Sequence, residues 1–429
     1  MGTKPSRRLV VVSIDGLSLR EAEAIAGLPR FSSLMARGAF SSSLRSVFPS
    51  LTYVVHATMM TGRHPVAHGV THNHPLQPGL PADRQAWFWY ADQLRVPSLF
   101  DLARKAGMRT AAVLWPLVSG ARITWNLPEI AALPGENQTI KALRAGSPAY
   151  LLALEARFGK FRRGAEQPFL DDFVSRSAAH TIRSRRPDLL MTHLIALDAA
   201  KHEAGSDSPA ARSALEFLDL ALGRIIDALG DSGLADSTDL VVLGDHGHID
   251  IHHRIRPNRL LQDAGLCGHR DGAFGWRAWC RCSGGSAFVH TRPGDAGAEA
   301  LVRSALEAAA ADPAMGIEAI LDRGGIAALH GDGDASFALL ARPGFQFLEE
   351  FGGPLAETES RPGAFGADHG YSPELPGYRS LLLAAGPGIR SGRLAGEIEM
   401  VDVAPSLARL MGLEFPAGDG APIEGLFQD

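Results

Sequence analysis

The chain has 429 residues, 45% hydrophobic and 21% charged, with a formal net charge of −5 at pH 7. That length and composition suit a soluble α/β protein with a sizeable core, as one large domain carrying insertions or as two domains. The acidic balance, with no long basic run to offset it, excludes a nucleic-acid scaffold. Cys267, Cys280 and Cys282 are odd in number and clustered, which excludes a disulfide framework, and a CxC pair with one further thiol lacks the fourth ligand of a thiolate zinc site.

In chain order, residues 1–8 run into a short apolar segment, 9–14, too short for the core of a secretion signal. No apolar stretch approaches the ~18 residues of a membrane span. The sequence as it stands therefore reads as cytoplasmic. Near-continuous aliphatic runs at 9–14, 110–114, 189–196, 240–243 and 380–384 predict strands covered on both faces. Between them, Ser98 with Asp101 predicts a helix start and Gly107 its end. Ser208-Pro209 opens another helix, with Leu215, Leu218, Leu222, Ile225 and Leu229 on one stripe and Gly230 at its end. This alternation predicts a doubly wound, largely parallel sheet with helices on both faces.

Two regions break the rhythm. Residues 120–166 read as an insertion near the site, ending in the basic stretch Lys160-Phe161-Arg162-Arg163. The second region reads as strand 286–290, helix 298–311 and strands 316–321 and 336–341. It predicts a small α+β cap, 267–361, inserted in a main domain made of 1–266 and 362–429.

Asp15, Asp198 and Asp245 each follow one of the apolar runs. In an open parallel sheet the ligand crevice lies beyond the carboxyl ends of the strands. Three carboxylates gathered there would repel one another, and a bound cation relieves that repulsion. Histidines accompany them at ligand spacing: His202 four residues after Asp198, His246 directly after Asp245, and His369 in a second Asp-His-Gly triplet. Nitrogen and carboxylate donors favour zinc, with manganese the alternative.

The segment Phe48-Pro49-Ser50-Leu51-Thr52-Tyr53-Val54-Val55-His56, with Thr61-Gly62, His68-Gly69 and Asn73 following, resembles the nucleophile region of the type I phosphodiesterase/nucleotide pyrophosphatase family of the alkaline phosphatase superfamily. The resemblance covers residues 9 to about 413 apart from the inserted regions. It implies an alkaline-phosphatase-like fold and a two-metal hydrolase of phosphodiester or pyrophosphate bonds in small, nucleotide-type substrates, working through a phosphorylated threonine. It places Thr52 as the nucleophile and Asn73 on the non-bridging phosphate oxygens. One ion would take Asp15, Asp245, His246 and Thr52. The other would take Asp198, His202 and His369, with Asp368 orienting a neighbour. Tyr53 takes the position of a base-stacking aromatic, against a plain packing role. The sequence departs from the family pattern at Val54-Val55, which replace Pro-Asn, and at His72, which replaces Asp.

The same ligands would serve a phosphonate hydrolase. A phosphomonoesterase would need extra cations, for which Arg63, Lys160, Arg162 and Arg163 are the candidates. A non-catalytic metal-binding member is the remaining alternative. His193 reads as a core residue and His252-His253 as part of a solvated loop. Oligomeric state is not legible in the sequence.

Overall fold

Residues 8–428 are described by a computed structural model, so the first seven residues read above lie outside it. The apolar runs become strands of one sheet, β1 (Arg8–Ile14), β3 (Thr110–Trp115), β5 (Leu189–Leu194) and β6 (Thr238–Gly244), joined by two strands outside those runs, β2 (Ala39–Arg45) and β4 (Trp125–Pro128). The order across its centre is β6-β1-β5-β3-β4, all parallel. The strand Ser380–Ala385 then runs antiparallel between β6 and β2. Each face has its own apolar core. One holds Val11, Val54, Met59, Trp115 and Leu243, the other Val12, Phe31, Leu190, Leu222 and Val242. Strands covered on both faces account for the uninterrupted aliphatic sequences.

Two expectations are corrected here. Residues 120–166 are no separate insertion, because β4 extends the main sheet beside β3 and the helices Gln138–Ala145 and Pro148–Phe158 follow it. The strand expected over 189–196 stops at Leu194, and the helix Ala196–Ala204 begins two residues later. Asp198 therefore lies in the first turn of a helix, not at a strand end.

Buried Asp171, on the helix Phe169–Arg185, sets that helix start. Its Oδ2 accepts the backbone N–H groups of Ile195 and Ala196, both at 2.7 Å. Such N–H groups have no partner within their own helix. Removing this acceptor in Asp171→Ala should cost about 2–4 kcal/mol. Burial pushes the Asp171 carboxyl up to about 6 from 3.8. A raised folded-state pKa means that the folded chain binds the proton more readily. This group therefore adds stability as pH falls through 6 towards the unfolded value, and that gain is lost as pH rises again. Asp171→Asn removes the titration. The stability of the parent protein relative to Asp171→Asn should grow by about 1.3 kcal/mol between pH 7 and pH 5 in denaturant titrations.

The second unit is a four-stranded antiparallel sheet in the order Ala278–Cys282, Ser286–Thr291, Phe337–Ala341, Ile317–Asp322, with the helix Ala296–Ala310 packed on it. Its core includes Ile251, Ile255 and Leu261 before the expected cap and Tyr371 and Tyr378 after it, so it reaches beyond 267–361 on both sides. His253 forms part of a short strand, His253–Ile255, and only His252 of that pair is exposed. Where the units meet, the two-residue strands Ile249–Asp250 and Ala367–Asp368 pair antiparallel. Among the described residues no helix is long and apolar enough to cross a membrane.

Candidate metal centre and nucleophile

The carboxyl ends of β1 and β6 bring the first group of ligands together. Asp15 follows β1 and Asp245 follows β6, neighbours in the sheet. Asp245 Oδ1 accepts the backbone N–H of Gly16 at 2.9 Å and of His246 at 3.0 Å, which leaves Oδ2 facing inward. His246 Nε2 lies 3.3 Å from Asp15 Oδ1 and 3.4 Å from Asp245 Oδ2, and neither of these buried oxygens has a hydrogen-bond partner. Thr52 Oγ1 stands 3.4 Å from the same nitrogen. Four donors around a tetrahedral zinc, each ~2.0–2.1 Å from it, lie roughly 3.3 Å apart. The spacing of these atoms and the unpartnered oxygens fit a bound divalent cation.

Thr52 is the first residue of the helix Thr52–Thr61, whose N-cap residue, Leu51, supplies no side-chain hydrogen bond. Uncapped N–H groups and the helix dipole favour an anion at this end. Asn73 Oδ1 accepts the Tyr53 N–H at 3.0 Å, so the Asn73 amide is tied to the same helix end.

Asp198 gathers the other group. Its Oδ1 lies 3.2 Å from His202 Nε2, 2.9 Å from His248 Nε2 and 4.0 Å from His369 Nε2. His369 follows a backbone so tightly placed that a Cβ on Gly370 would fall 1.6 Å from the Ser283 carbonyl oxygen. Only glycine fits there. Asp368 accepts the His369 N–H at 2.8 Å and lies 3.8 Å from His202 Nδ1.

The electrostatics match a site built for cations. Burial, then Asp198 and Asp245, push Asp15 well above the usual carboxylate range. Burial also pushes Asp198 up, but His202 and His248 outweigh it and hold that carboxyl low. Burial, then His369, keep His246 well below its ordinary value, and burial lowers His369. Neutral imidazoles keep the lone pair that a metal needs. Burial lowers His202 too, but Asp198 and then Asp368 outweigh it and push it up to about 10, so an ion there must displace its proton.

The structure thus brings together Asp15, Thr52, Asn73, Asp198, His202, Asp245, His246 and His369. It leaves Tyr53 with no face for a substrate. That ring is wholly buried, its hydroxyl donates to Glu129 Oε1 at 3.0 Å, and Trp87 packs against it edge-on. Packing is the role its position supports. Three residues escaped the sequence reading. His193 is buried but not inert, with Nε2 3.2 Å from Asp15 Oδ2 and Nδ1 3.7 Å from Glu129 Oε2. Glu129 directly follows β4, on the segment taken for an insertion. His248 was signalled only by its place two residues after His246.

The loop carrying Asn73 is gripped by the second unit. Buried Arg281 pairs with Asp332, donates to Thr71 Oγ1 at 3.0 Å and to the His74 carbonyl at 3.1 Å, and His72 lies 3.0 Å from the Cys282 carbonyl. Asp332→Ala would strand a buried guanidinium and should cost about 3–5 kcal/mol in denaturant titrations. Faster amide exchange over residues 70–74 should accompany it.

The profile of the type I phosphodiesterase/nucleotide pyrophosphatase family matches residues 9–372, and the chain belongs to that family. It is 25% identical over 253 residues to venom phosphodiesterase 2 of Crotalus adamanteus, a match covering 57% of this chain and 27% of that protein. It is 22% identical over 249 residues to ectonucleotide pyrophosphatase/phosphodiesterase family member 3 of Rattus norvegicus, covering 56% of this chain and 24% of that protein. The chain thus spans about a quarter of the length of these curated relatives. Among solved structures it resembles murine ectonucleotide pyrophosphatase/phosphodiesterase 5, as an inactive variant in complex with AMP. That likeness has a TM-score of 0.70 at 19% identity over 98% of this chain and 100% of that one. The human counterpart gives 0.71 at 18% identity over 99% and 100%. The alkaline-phosphatase-like fold expected from the sequence is the fold found.

Proposed function

We propose that the chain is a two-metal hydrolase of phosphodiester or pyrophosphate bonds in small nucleotide-type substrates, with Thr52 as its nucleophile. The observation that carries this reading is the Thr52 hydroxyl, held at a helix N-terminus and 3.4 Å from His246 Nε2, beside the buried, unpartnered oxygens Asp15 Oδ1 and Asp245 Oδ2. Asp15, Asp245 and His246, with Thr52, would hold one ion, and Asp198, His202 and His369 the other. Zinc suits this donor set best. Bound there, the ions supply Lewis-acid stabilisation of the phosphoryl charge and of the attacking and leaving oxygens.

The remaining chemistry belongs to the chain's own residues. Thr52 Oγ gives up its proton to solvent and attacks phosphorus in line, forming the new P–O bond as the bond to the leaving group breaks. The leaving group departs with a proton from solvent, and a phosphorylated threonine remains. Water then displaces Thr52. Asn73 has its Oδ1 engaged by the Tyr53 N–H, so its Nδ2–H groups are free to donate to a non-bridging oxygen. The free N–H groups of the helix start assist it.

A diester preference is favoured over a monoester one because the cations proposed for a dianion are spent elsewhere. Arg63 binds the Ala417 carbonyl and Asp419, and Arg162 pairs with Glu155. Lys160 and Arg163 lie over the rings of Phe161 and Phe169. The names of the relatives and the AMP complex of the murine neighbour support a nucleotide substrate. The test is a hydrolysis panel on metal-analysed protein: a bis-aryl phosphodiester, an aryl monoester, a dinucleotide, a nucleotide sugar and a phosphonate. Diester and pyrophosphate turnover should exceed the rest. A faster monoester or phosphonate would overturn the proposal.

A further inference from the structure

The second centre holds one imidazole more than the set just described. His202, His248 and His369 stand around Asp198 with ring centroids 5.2, 5.1 and 5.4 Å apart, and each pair of rings is steeply inclined, at 75°, 67° and 84°. Three imidazoles bound through nitrogen to one tetrahedral ion at ~2.0–2.1 Å would have ring centres roughly 5 Å apart. The three Nε2 atoms lie 3.2, 2.9 and 4.0 Å from Asp198 Oδ1, straddling the roughly 3.3 Å between neighbouring donors of such an ion. His246 does not belong to this triangle. Its ring stacks on His369 at 4.0 Å and 26°, and its Nε2 is directed to Asp15 and Asp245.

The chain makes room for the extra ring. His248 is 4% exposed. A Cβ on Gly16, which has φ +73°, would meet its Cε1 at 2.7 Å and its Nδ1 at 3.0 Å. The short ladder between Ile249–Asp250 and Ala367–Asp368 places His248 and His369 at adjoining ends of two paired strands.

We propose that His248 is a fourth protein ligand of the second ion, giving that centre three imidazole nitrogens and one carboxylate oxygen. This rests on the two-ion reading above. Such a set fills a tetrahedral ion, so a substrate oxygen or water must raise its coordination to five or displace one ligand. It also favours zinc over manganese or magnesium at this centre more strongly than three ligands would.

The test uses the full chain loaded with 113Cd and labelled with 15N-histidine, alongside zinc analysis and chelator competition. One-bond 113Cd–15N coupling to His248 Nε2, in addition to His202, His246 and His369, is the expected result. In His248→Ala the weaker of the two zinc affinities should fall about 100-fold, on the scale of losing a supporting residue or more. Exposed His252→Ala should leave both affinities unchanged. Two bound ions without coupling to His248 would overturn this inference and leave the proposed function standing. Fewer than two ions in the unsubstituted protein would overturn both. The coupling is read on the unsubstituted chain, so a variant that fails to fold does not decide the matter.

Discussion

Thr52→Ala should reduce diester turnover by at least about four orders of magnitude, or ~5.4 kcal/mol of transition-state stabilisation, while the protein still binds two ions. The separation of the two effects follows from the geometry. Thr52 contributes one oxygen to the first centre, but Asp15, Asp245 and His246 supply three donors without it, each held by the sheet or by a backbone hydrogen bond. Removing the hydroxyl deletes the atom that would bond to phosphorus and leaves the electrostatics around it in place. Binding should survive, so product nucleotide should still bind the variant. The measurement is burst and steady-state kinetics beside metal analysis of the same preparation. Turnover within tenfold of the parent would end the assignment. Loss of one ion with the hydroxyl would show instead that Thr52 holds the metal more than it attacks phosphorus.

Stripping the ions should abolish turnover and also weaken the fold. Asp15, Asp198 and Asp245 converge. Burial and then the other two carboxylates already oppose the charge of Asp15, and Asp15 and Asp245 have oxygens without hydrogen-bond partners. Without cations, the chain keeps that repulsion and those unpaired atoms. With them, each ion stabilises the native state by about 4 kcal/mol when free metal is 1,000 times its dissociation constant. A chelator should therefore lower the melting temperature, and two equivalents of zinc should restore both stability and activity. Retained activity in protein shown to be metal-free would refute the two-ion mechanism. A restored melting temperature without restored activity would mean that the wrong ion had been supplied.

What the sequence made legible divides along physical lines. The parallel strands were readable because β1, β3, β5 and β6 are covered on both faces and so carry mostly aliphatic runs. β2 was not readable, since Ala-Phe-Ser-Ser-Ser-Leu-Arg has half its positions only partly buried and carries serines where a buried strand has aliphatics. The strand Ala278–Cys282 was hidden for a related reason. Its Arg281 is buried, but as half of an ion pair, and no hydrophobic pattern reports that. The candidate metal ligands were legible because their spacing is short-range and chemically distinctive. Asp198 was found although its context was misread, since a spacing of four from it to His202 means one helical turn wherever the helix begins. His193 and Glu129 were not legible as site residues. Their meeting with Asp15 depends on β5 lying beside β1 and on β4 closing the sheet, and pairings so distant leave no local trace.

The two-residue ladder between Ile249–Asp250 and Ala367–Asp368 has a kinetic consequence. It closes the loop that contains the whole second sheet, and His248 and His369 sit at its mouth. Loop-closure entropy grows only slowly with length for a flexible chain, but it must be met before the distant contacts reward it. Folding of the intervening sheet shortens that search by bringing its own ends together. On the two-ion proposal, the second ion would bind late, after the intervening sheet has condensed, and the order of refolding phases in a stopped-flow experiment with and without zinc should show it.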